Sequence, residues 1–125
     1  MASGPLEISV EERPDSDSTV AVVKPLGEID LANADDLAGS LRSIRADEGR
    51  GIVLDLREVP FMDSSGLRVV LMAHGELGAR LAVVTKDESA VARLLDLAEL
   101  TERLHVFQTD EEAVAAVRAE VVDGA

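Results

Sequence analysis

The hydrophobic positions at the start of the chain follow the two-residue period of a β-strand. Apolar and polar residues alternate over Leu6–Glu11, as in a strand with one buried face. The polar segment Pro14–Thr19 follows, and a second apolar run begins at Val20–Val23 and continues through Leu26 and Ile29. Two strands joined by a short polar turn predict an opening β-hairpin.

Beyond Asp30, segments whose apolar residues recur at helical spacing alternate with short, continuous apolar runs. The runs Ile52–Leu56 and Leu81–Val84 predict strands that are covered on both faces, and Leu104–Phe107 predicts a short final strand. Helices are predicted between these strands, with ends near the glycines of residues 49–51 and 75–78 and with caps at Ser89 and Thr109. Their inward positions are predicted to include Leu37, Leu41, Ile44, Leu67, Val70, Leu71, Leu77, Leu94, Leu95, Leu97, Val114, Val117 and Val121.

The predicted order of elements is β-β-α-β-α-β-α-β-α, which indicates an α/β fold. We expect a mixed, mostly parallel sheet of four to five strands with an antiparallel edge strand, packed with about four helices. A chain of 125 residues is expected to form a single domain over residues 1–125, with a core of about residues 6–121 and frayed ends.

Composition excludes several classes of function. Asp and Glu number 25 against 12 Lys and Arg, and the net charge of −13 would repel nucleic acid. The absence of Cys excludes thiol catalysis and cysteine-based zinc sites. The longest uncharged stretch, Val69–Gly75, is far shorter than a membrane span of about 20 residues. Residues 1–12 lack the pattern of a secretory signal, so we expect a cytoplasmic protein without a cofactor or a direct nucleic-acid partner.

The segment Asp63-Ser64-Ser65-Gly66 carries the candidate chemistry, because it lies between a predicted buried strand and a predicted helix. Open α/β sheets place their sites at this end of a strand. One interpretation is that Asp63 or Ser64 caps the helix. The other is that Ser64 is exposed for modification, since phosphoserine would add about −1.5 to −2 charges near free helix N–H groups. The two are compatible, and Gly66 would allow a close approach of another chain or ligand.

An enzymatic role for Ser64 is not favoured. A nucleophilic serine needs an adjacent base and an oxyanion hole. His74 is predicted almost three helical turns further on, about 15 Å along the axis, and His105 is far away in the sequence. No spacing suggests a metal shared by the two histidines. We therefore expect a protein that binds rather than catalyses.

Two segments resemble those of a known family. Phe61–Leu67 (FMDSSGL) looks like the phosphorylation motif of the bacterial STAS-domain anti-sigma factor antagonists, and Leu26–Asp30 (LGEID) looks like the family's segment before the first helix. The resemblance runs from about Leu6 to Val117. It implies that the unphosphorylated protein binds an anti-sigma factor, itself a serine kinase, and so releases a sigma factor. Phosphorylation of Ser64 would end this binding, and a PP2C-type phosphatase would restore it.

Carried over residue by residue, the resemblance makes Ser64 the phosphoacceptor. The chain departs from the family at Ala98 and Glu99, where Gly is frequent, and at Arg68, where a small residue is common. Arg68 is a candidate either to modify the choice of partner or to pair with a phosphate on Ser64. The expected partner-binding residues are Asp30, Asp63, Ser64, Ser65, Gly66, Leu67 and Arg68.

The sequence leaves open the kind of module, the oligomeric state and the surface that faces a partner. A STAS interaction module of another kind, in a stress-signalling complex or as a soluble subunit of a lipid-transport system, would share most of these features. The oligomeric state is open between a monomer and a weak dimer. In the predicted second helix, Val70 and Leu71 are expected in the core, whereas Met72 is the candidate to face a partner.

Overall fold

The computed structural model describes residues 5–14, 19–45 and 50–123. Within these residues the chain forms five strands and four α-helices, with one turn of 3-10 helix at Gly78–Arg80. The strands are β1 (Glu7–Pro14), β2 (Thr19–Leu26), β3 (Gly51–Asp55), β4 (Leu81–Val84) and β5 (Val106–Phe107). The helices are α1 (Ala34–Arg45), α2 (Ser64–Leu77), α3 (Ala90–Leu97) and α4 (Asp110–Asp123).

In the described residues the strands form one sheet in the order β1-β2-β3-β4-β5. The hairpin pairs β1 and β2 in antiparallel fashion, and all other neighbours are parallel. This confirms the predicted fold class, including the antiparallel edge strand and the order of elements. The predicted polar turn of the hairpin falls mainly on residues 15–18, which lie outside the described residues, as do residues 46–49 at the predicted end of α1.

The sheet is covered on both faces. Val23, Leu54 and Val83 pack with α1, α2 and α3 in the larger core, whereas Val22 and Val53 pack with α4 in the smaller one. Side chains alternate between the two faces of a strand, so a strand with helices on both faces is apolar at nearly every position. This is why the central strands appear in the sequence as continuous apolar runs.

The helix ends follow the capping residues of the sequence. Ser89 Oγ accepts a hydrogen bond from the Ala92 N–H at 3.1 Å, and Thr109 Oγ1 accepts one from the Glu112 N–H at 3.2 Å. These contacts satisfy N–H groups that the first turn of a helix leaves without partners. The caps predicted at Ser89 and Thr109 are thus confirmed.

Two boundaries differ from the prediction. Gly51 is the first residue of β3 and not part of the break after α1. The last strand, predicted as Leu104–Phe107, comprises only Val106 and Phe107, because His105 has a φ of 51°. That left-handed conformation is incompatible with a strand, and Leu104 is instead buried in the core.

Candidate functional site

One isolated parallel bridge, between Ile29 and Met62, brings the two family-like segments together. The Ile29 N–H donates to the Phe61 carbonyl at 3.0 Å, and the Asp63 N–H donates to the Ile29 carbonyl at 3.1 Å. Asp30 and Asp63 are each the residue that follows the bridge, and both are half-buried. The bridge therefore places two carboxylates at one end of the sheet, beside the start of α2.

Asp63, and not Ser64, is the cap of α2. Its backbone is extended, with φ −94° and ψ −173°, and its Oδ1 accepts hydrogen bonds from the Ser65 N–H at 2.8 Å and the Gly66 N–H at 3.4 Å. Ser64 is the first residue of the helix and is exposed. Since Asp63 provides the cap, the Ser64 side chain is available at the surface.

Gly66 lies on the inner face of α2 and is buried. A Cβ at this position would lie 2.4 Å from Met62 Cγ and 2.9 Å from Ile29 Cγ2, which is far inside van der Waals contact. The close approach that the glycine was predicted to allow is therefore an approach of this chain's own side chains. It fits α2 directly against the bridge that carries Asp30 and Asp63.

A buried asparagine fixes the turn that carries Asp30. Asn33 is 2% exposed, and its Oδ1 accepts a hydrogen bond from the Asp30 N–H while its Nδ2 donates to the Glu28 carbonyl, both at 2.9 Å. Asp30 Oδ1 in turn accepts from the Ala32 N–H at 2.9 Å. Asn33 was not among the residues predicted to form the site. The available signal was an Asn three residues after an Asp in front of a helix, because such residues often hold turns through local hydrogen bonds.

The surface around Ser64 mixes apolar and basic groups. Arg68, one turn along α2, is exposed, and Ser65 and Leu67 are half-buried. Phe61 is 49% exposed and Met72 is 58% exposed. The exposure of Met72 agrees with its expected position outside the core.

Two of the positions predicted to face inward are wrong, namely Leu71 of α2 and Leu97 of α3, which is 85% exposed. Val70 is fully buried, whereas Leu71 is 40% exposed. The buried positions of the helix are Gly66, Val70, Ala73 and Leu77, which recur at helical spacing. Leu71 follows Val70 by about 100° around the axis, so it turns away from the sheet.

A groove of about 360 Å³ runs between α1 and α2. Ser65, Arg68 and Met72 line it from α2, and Ala38 and Arg42 line it from α1. The groove thus begins beside the segment Asp63–Gly66 and continues along the helix, so a molecule that contacts Ser64 can also reach it.

A second charged group lies at the same end of the sheet. Asp55, at the end of β3, is completely buried, and its Oδ2 lies 2.8 Å from Arg57 Nη2 and 3.6 Å from Lys24 Nζ. Arg57 Nη2 also lies 3.2 Å from Asp110 Oδ2, at the first residue of α4. This cluster connects the end of the central strand to the helix on the opposite face.

The two carboxyl groups of this cluster are shifted in opposite directions. Burial raises the pKa of Asp55, but the hydrogen bonds from Arg57, the hydrogen bond with Asp110 and the positive charge of Arg57 together lower it, so that the net pKa is below the ordinary value of 3.8. Burial and the neighbouring Asp55 raise the pKa of Asp110 above that value. The ionised form of Asp55 is therefore favoured by the fold, whereas the ionised form of Asp110 is not.

The described part of the chain contains no group of three or more His, Asp or Glu side chains that could hold a metal ion. None of the helices in residues 5–14, 19–45 and 50–123 combines the length and the apolar composition needed to cross a membrane.

The fold and the motif together define a class of small α/β domain, the SpoIIAA-like fold. The chain belongs to the STAS domain family, whose family model matches residues 7–113. This confirms the family indicated by Leu26–Asp30 and Phe61–Leu67.

Named relatives have similar length and fold. The chain is 31% identical over 106 residues to the anti-sigma-F factor antagonist RsfB of Mycobacterium tuberculosis, covering 83% of this chain and 86% of that protein. It is 33% identical over 107 residues to an anti-sigma F factor antagonist of Paenibacillus polymyxa, covering 82% and 89% respectively. A crystal structure of an anti-sigma factor antagonist from Mycobacterium paratuberculosis superposes with a TM-score of 0.75 at 29% identity, covering 90% of this chain and 95% of that one.

Proposed function

We propose that this protein is an anti-sigma factor antagonist whose binding to an anti-sigma factor is switched off by phosphorylation of Ser64. The observation that carries the proposal is the division of roles between two adjacent residues: Asp63 caps α2 and Ser64 is exposed at its first position. Modification of Ser64 therefore leaves the capping hydrogen bonds in place. The names of the relatives from Mycobacterium tuberculosis and Paenibacillus polymyxa support the same function.

The fold can tolerate a phosphate at this position. The positive end of the α2 dipole lies at Ser64, and it favours negative charge there. Arg68 is four residues further along the helix, and residues at this spacing are neighbours on one helix face. Arg68 forms no ion pair with any residue that the structure describes. It is therefore placed to pair with the phosphate.

The same phosphate would oppose binding of a partner. It would add about −1.5 to −2 charges beside Asp63 and close to Asp30, which the Ile29–Met62 bridge holds at the same end of the sheet. A partner that packs against Ser64, Leu67 and Phe61 would have to bury these charges, which costs several kcal/mol when they are not paired. Phosphorylation thus weakens the complex without unfolding the antagonist.

Other proteins would catalyse the phosphorylation and the dephosphorylation of Ser64. The anti-sigma factor is expected to be a serine kinase that modifies Ser64 within the complex, and a PP2C-type phosphatase is expected to remove the phosphate. Asp30, Asp63, Ser65, Gly66, Leu67 and Arg68 are proposed to form or support the contact surface. Among them the buried Gly66 acts by positioning α2. The protein itself is proposed to act in the cytoplasm, as a binding partner without catalytic activity.

The first experiment is the intact mass of the protein isolated from its native cells with phosphatases inhibited, followed by mapping of the modified peptide. We expect one phosphoryl group on Ser64. The absence of phosphate under every growth condition, or phosphate on Ser65 alone, would overturn the proposed switch. With either result, Asp63 and Ser64 would have only a structural role, and the protein would be a constitutive binding module.

The second experiment measures binding to the kinase-type anti-sigma factor of the same organism. We expect Ser64→Ala to bind with the affinity of the unphosphorylated protein and to resist phosphorylation, and Ser64→Asp to bind at least tenfold more weakly. Ser65→Ala tests which of the two hydroxyl groups is modified, and this variant should remain a substrate of the kinase even if its affinity changes. Equal affinity of Ser64→Ala and Ser64→Asp would contradict the role of charge.

A further inference from the structure

The tertiary structure brings together the two histidines, which are far apart in the sequence. His74 lies in the last turn of α2, and His105 immediately precedes β5. Their ring centroids are 6.5 Å apart, with the ring planes inclined by 43°. They are the only histidines in the chain, which also has no cysteine. Any binding that requires imidazole or thiolate can therefore be attributed to this pair.

One nitrogen of the pair lacks the interaction that a buried polar atom ordinarily has. His74 Nδ1 is buried and forms no hydrogen bond with the residues that the structure describes. Most buried polar atoms in proteins have at least one partner, and an exception calls for an explanation such as an ion or a ligand. His105, in contrast, is exposed, so a ligand can approach the pair from solvent.

We propose that His74 and His105 form a binding site for one divalent transition-metal ion of the zinc and copper class. Imidazole is a preferred ligand of these ions. Metal–nitrogen bonds of about 2.0–2.1 Å place the centroids of two coordinating rings about 5–6.5 Å apart, depending on the angle at the metal. The observed 6.5 Å corresponds to the linear limit of this range, so the two side chains have to rotate towards each other, to about 5 Å between centroids, before both imidazoles contact one zinc ion at its tetrahedral angle.

The surroundings of the two histidines favour a cation, and they leave some of its coordination positions without a protein ligand. The carbonyl end of a helix carries partial negative charge, and His74 is in the last turn of α2. No third His, Asp or Glu completes a ligand group in the described part of the chain. The remaining coordination positions are thus assigned to water, which makes the site an exchangeable one.

Occupancy of this site would connect two separate elements. The ion would join the end of α2 to the residue before the edge strand β5, about 15 Å along the helix from Ser64. The proposal does not depend on phosphorylation of Ser64 or on any partner, since both ligands belong to this chain. A bound ion would stabilise the folded protein, because the ion binds only the folded state, whereas the two histidines are far apart in the unfolded chain.

The test is a calorimetric titration of the full, untagged, EDTA-treated protein with zinc chloride, together with the imidazole NMR signals of both histidines. We expect saturable binding of one Zn²⁺ per chain and shifts of both imidazoles. His74→Gln and His105→Asn should each weaken binding at least tenfold. Asn tolerates the left-handed backbone of residue 105, so the second variant retains the fold, which circular dichroism verifies.

Glu102→Gln is the matched control, because it removes an exposed carboxylate close to His105 in the sequence and leaves both imidazoles intact. It should bind Zn²⁺ within twofold of the unaltered protein. The proposal is overturned if the unaltered protein shows no saturable binding at a tenfold excess of zinc. It is equally overturned if His105→Asn binds like the unaltered protein, or if Glu102→Gln loses as much affinity as the histidine variants.

Discussion

Gly66 and Met62 are packed so closely that a Cβ atom on Gly66 would lie 2.4 Å from Met62 Cγ. The same atom would lie 2.9 Å from Ile29 Cγ2, so both residues of the parallel bridge press against the first turn of α2. The position of Ser64 relative to Asp30 therefore depends on the absence of a side chain at residue 66. This relationship gives the first prediction.

Gly66→Ala should lower the free energy of unfolding by about 1–3 kcal/mol, because the added methyl group overpacks the bridge. Urea denaturation followed by circular dichroism measures the change. Gly75→Ala is the control in the same helix. A Cβ there meets no atom within 4 Å, and replacing a helical Gly by Ala should stabilise by about 0.5–1 kcal/mol. Equal stability of Gly66→Ala and the unaltered protein would refute the close packing.

Asp63 has a structural role and a proposed partner-binding role, and two substitutions separate them. Asp63→Ala should lower the free energy of unfolding by about 1 kcal/mol, since it removes the cap oxygen that the Ser65 and Gly66 N–H groups share. Asp63→Asn retains an acceptor oxygen and should cost less. We predict that Asp63→Ala changes partner binding or phosphorylation more than it changes stability. A large loss of stability with normal partner binding would reduce Asp63 to a cap.

Asp55 should make stability depend on pH in the acidic range. Its pKa in the fold is below the ordinary value of 3.8, so its contribution is fully present above that value and is lost as the pH falls through the folded-state pKa. Asp55→Asn should therefore cost about 2–4 kcal/mol at pH 7, because it leaves Arg57 without its buried carboxylate. The difference from the unaltered protein should shrink in denaturation curves recorded towards pH 3.

Asp110 is the matched comparison for Asp55. Its pKa is raised, so its contribution has the opposite sign: it is present below the ordinary pKa and is lost as the pH rises through the folded-state pKa. Asp110→Asn should thus cost less than about 1 kcal/mol at pH 7, because the ionised carboxylate is not favoured by the fold. The opposite pKa shifts of Asp55 and Asp110 would be disproved if both variants lost the same free energy of unfolding at pH 7. They would also be disproved if the stability difference between Asp55→Asn and the unaltered protein grew as the pH was lowered.

Glu99 adopts a left-handed backbone with a φ of 60°, at the position where the resemblance expects Gly. A side chain in this conformation is strained by about 1 kcal/mol or more. Glu99→Gly should therefore raise the free energy of unfolding by about 0.5–1 kcal/mol, after the entropy of the more flexible unfolded chain is subtracted. Glu102→Gly, an exposed control outside the left-handed region, should be slightly destabilising. If Glu99→Gly were less stable than the unaltered protein, the backbone of Glu99 would not be strained.

The elements themselves were predictable from local patterns. The two-residue alternation of Leu6–Glu11 and the unbroken apolar run Leu81–Val84 indicated the strands that the structure contains. Ser89 and Thr109 indicated the starts of α3 and α4. These features depend on the backbone period and on hydrogen bonds within a few residues, so the sequence contains all the information they require.

The candidate site was predictable only in part. The candidate segment Asp63–Gly66 could be located because Asp63-Ser64 lies next to a predicted helix start, and the order of elements limited the sheet to a few topologies. The local pattern allows either of the two residues to cap the helix, whereas the hydrogen bonds that Asp63 Oδ1 accepts identify Asp63 as the cap. The cap decides that Ser64 is the exposed residue, and this distinction is central to the proposed switch.

The apolar character of the strands, the order of elements and the position of the serine motif follow from local patterns in the chain. The pairing of Ile29 with Met62, the exposure of Leu71 and the approach of His74 to His105 arise only when the elements pack together. The physical reason is that periodicity specifies which face of an element is apolar, whereas contacts between distant residues depend on how parallel strands and their crossover helices are arranged in space.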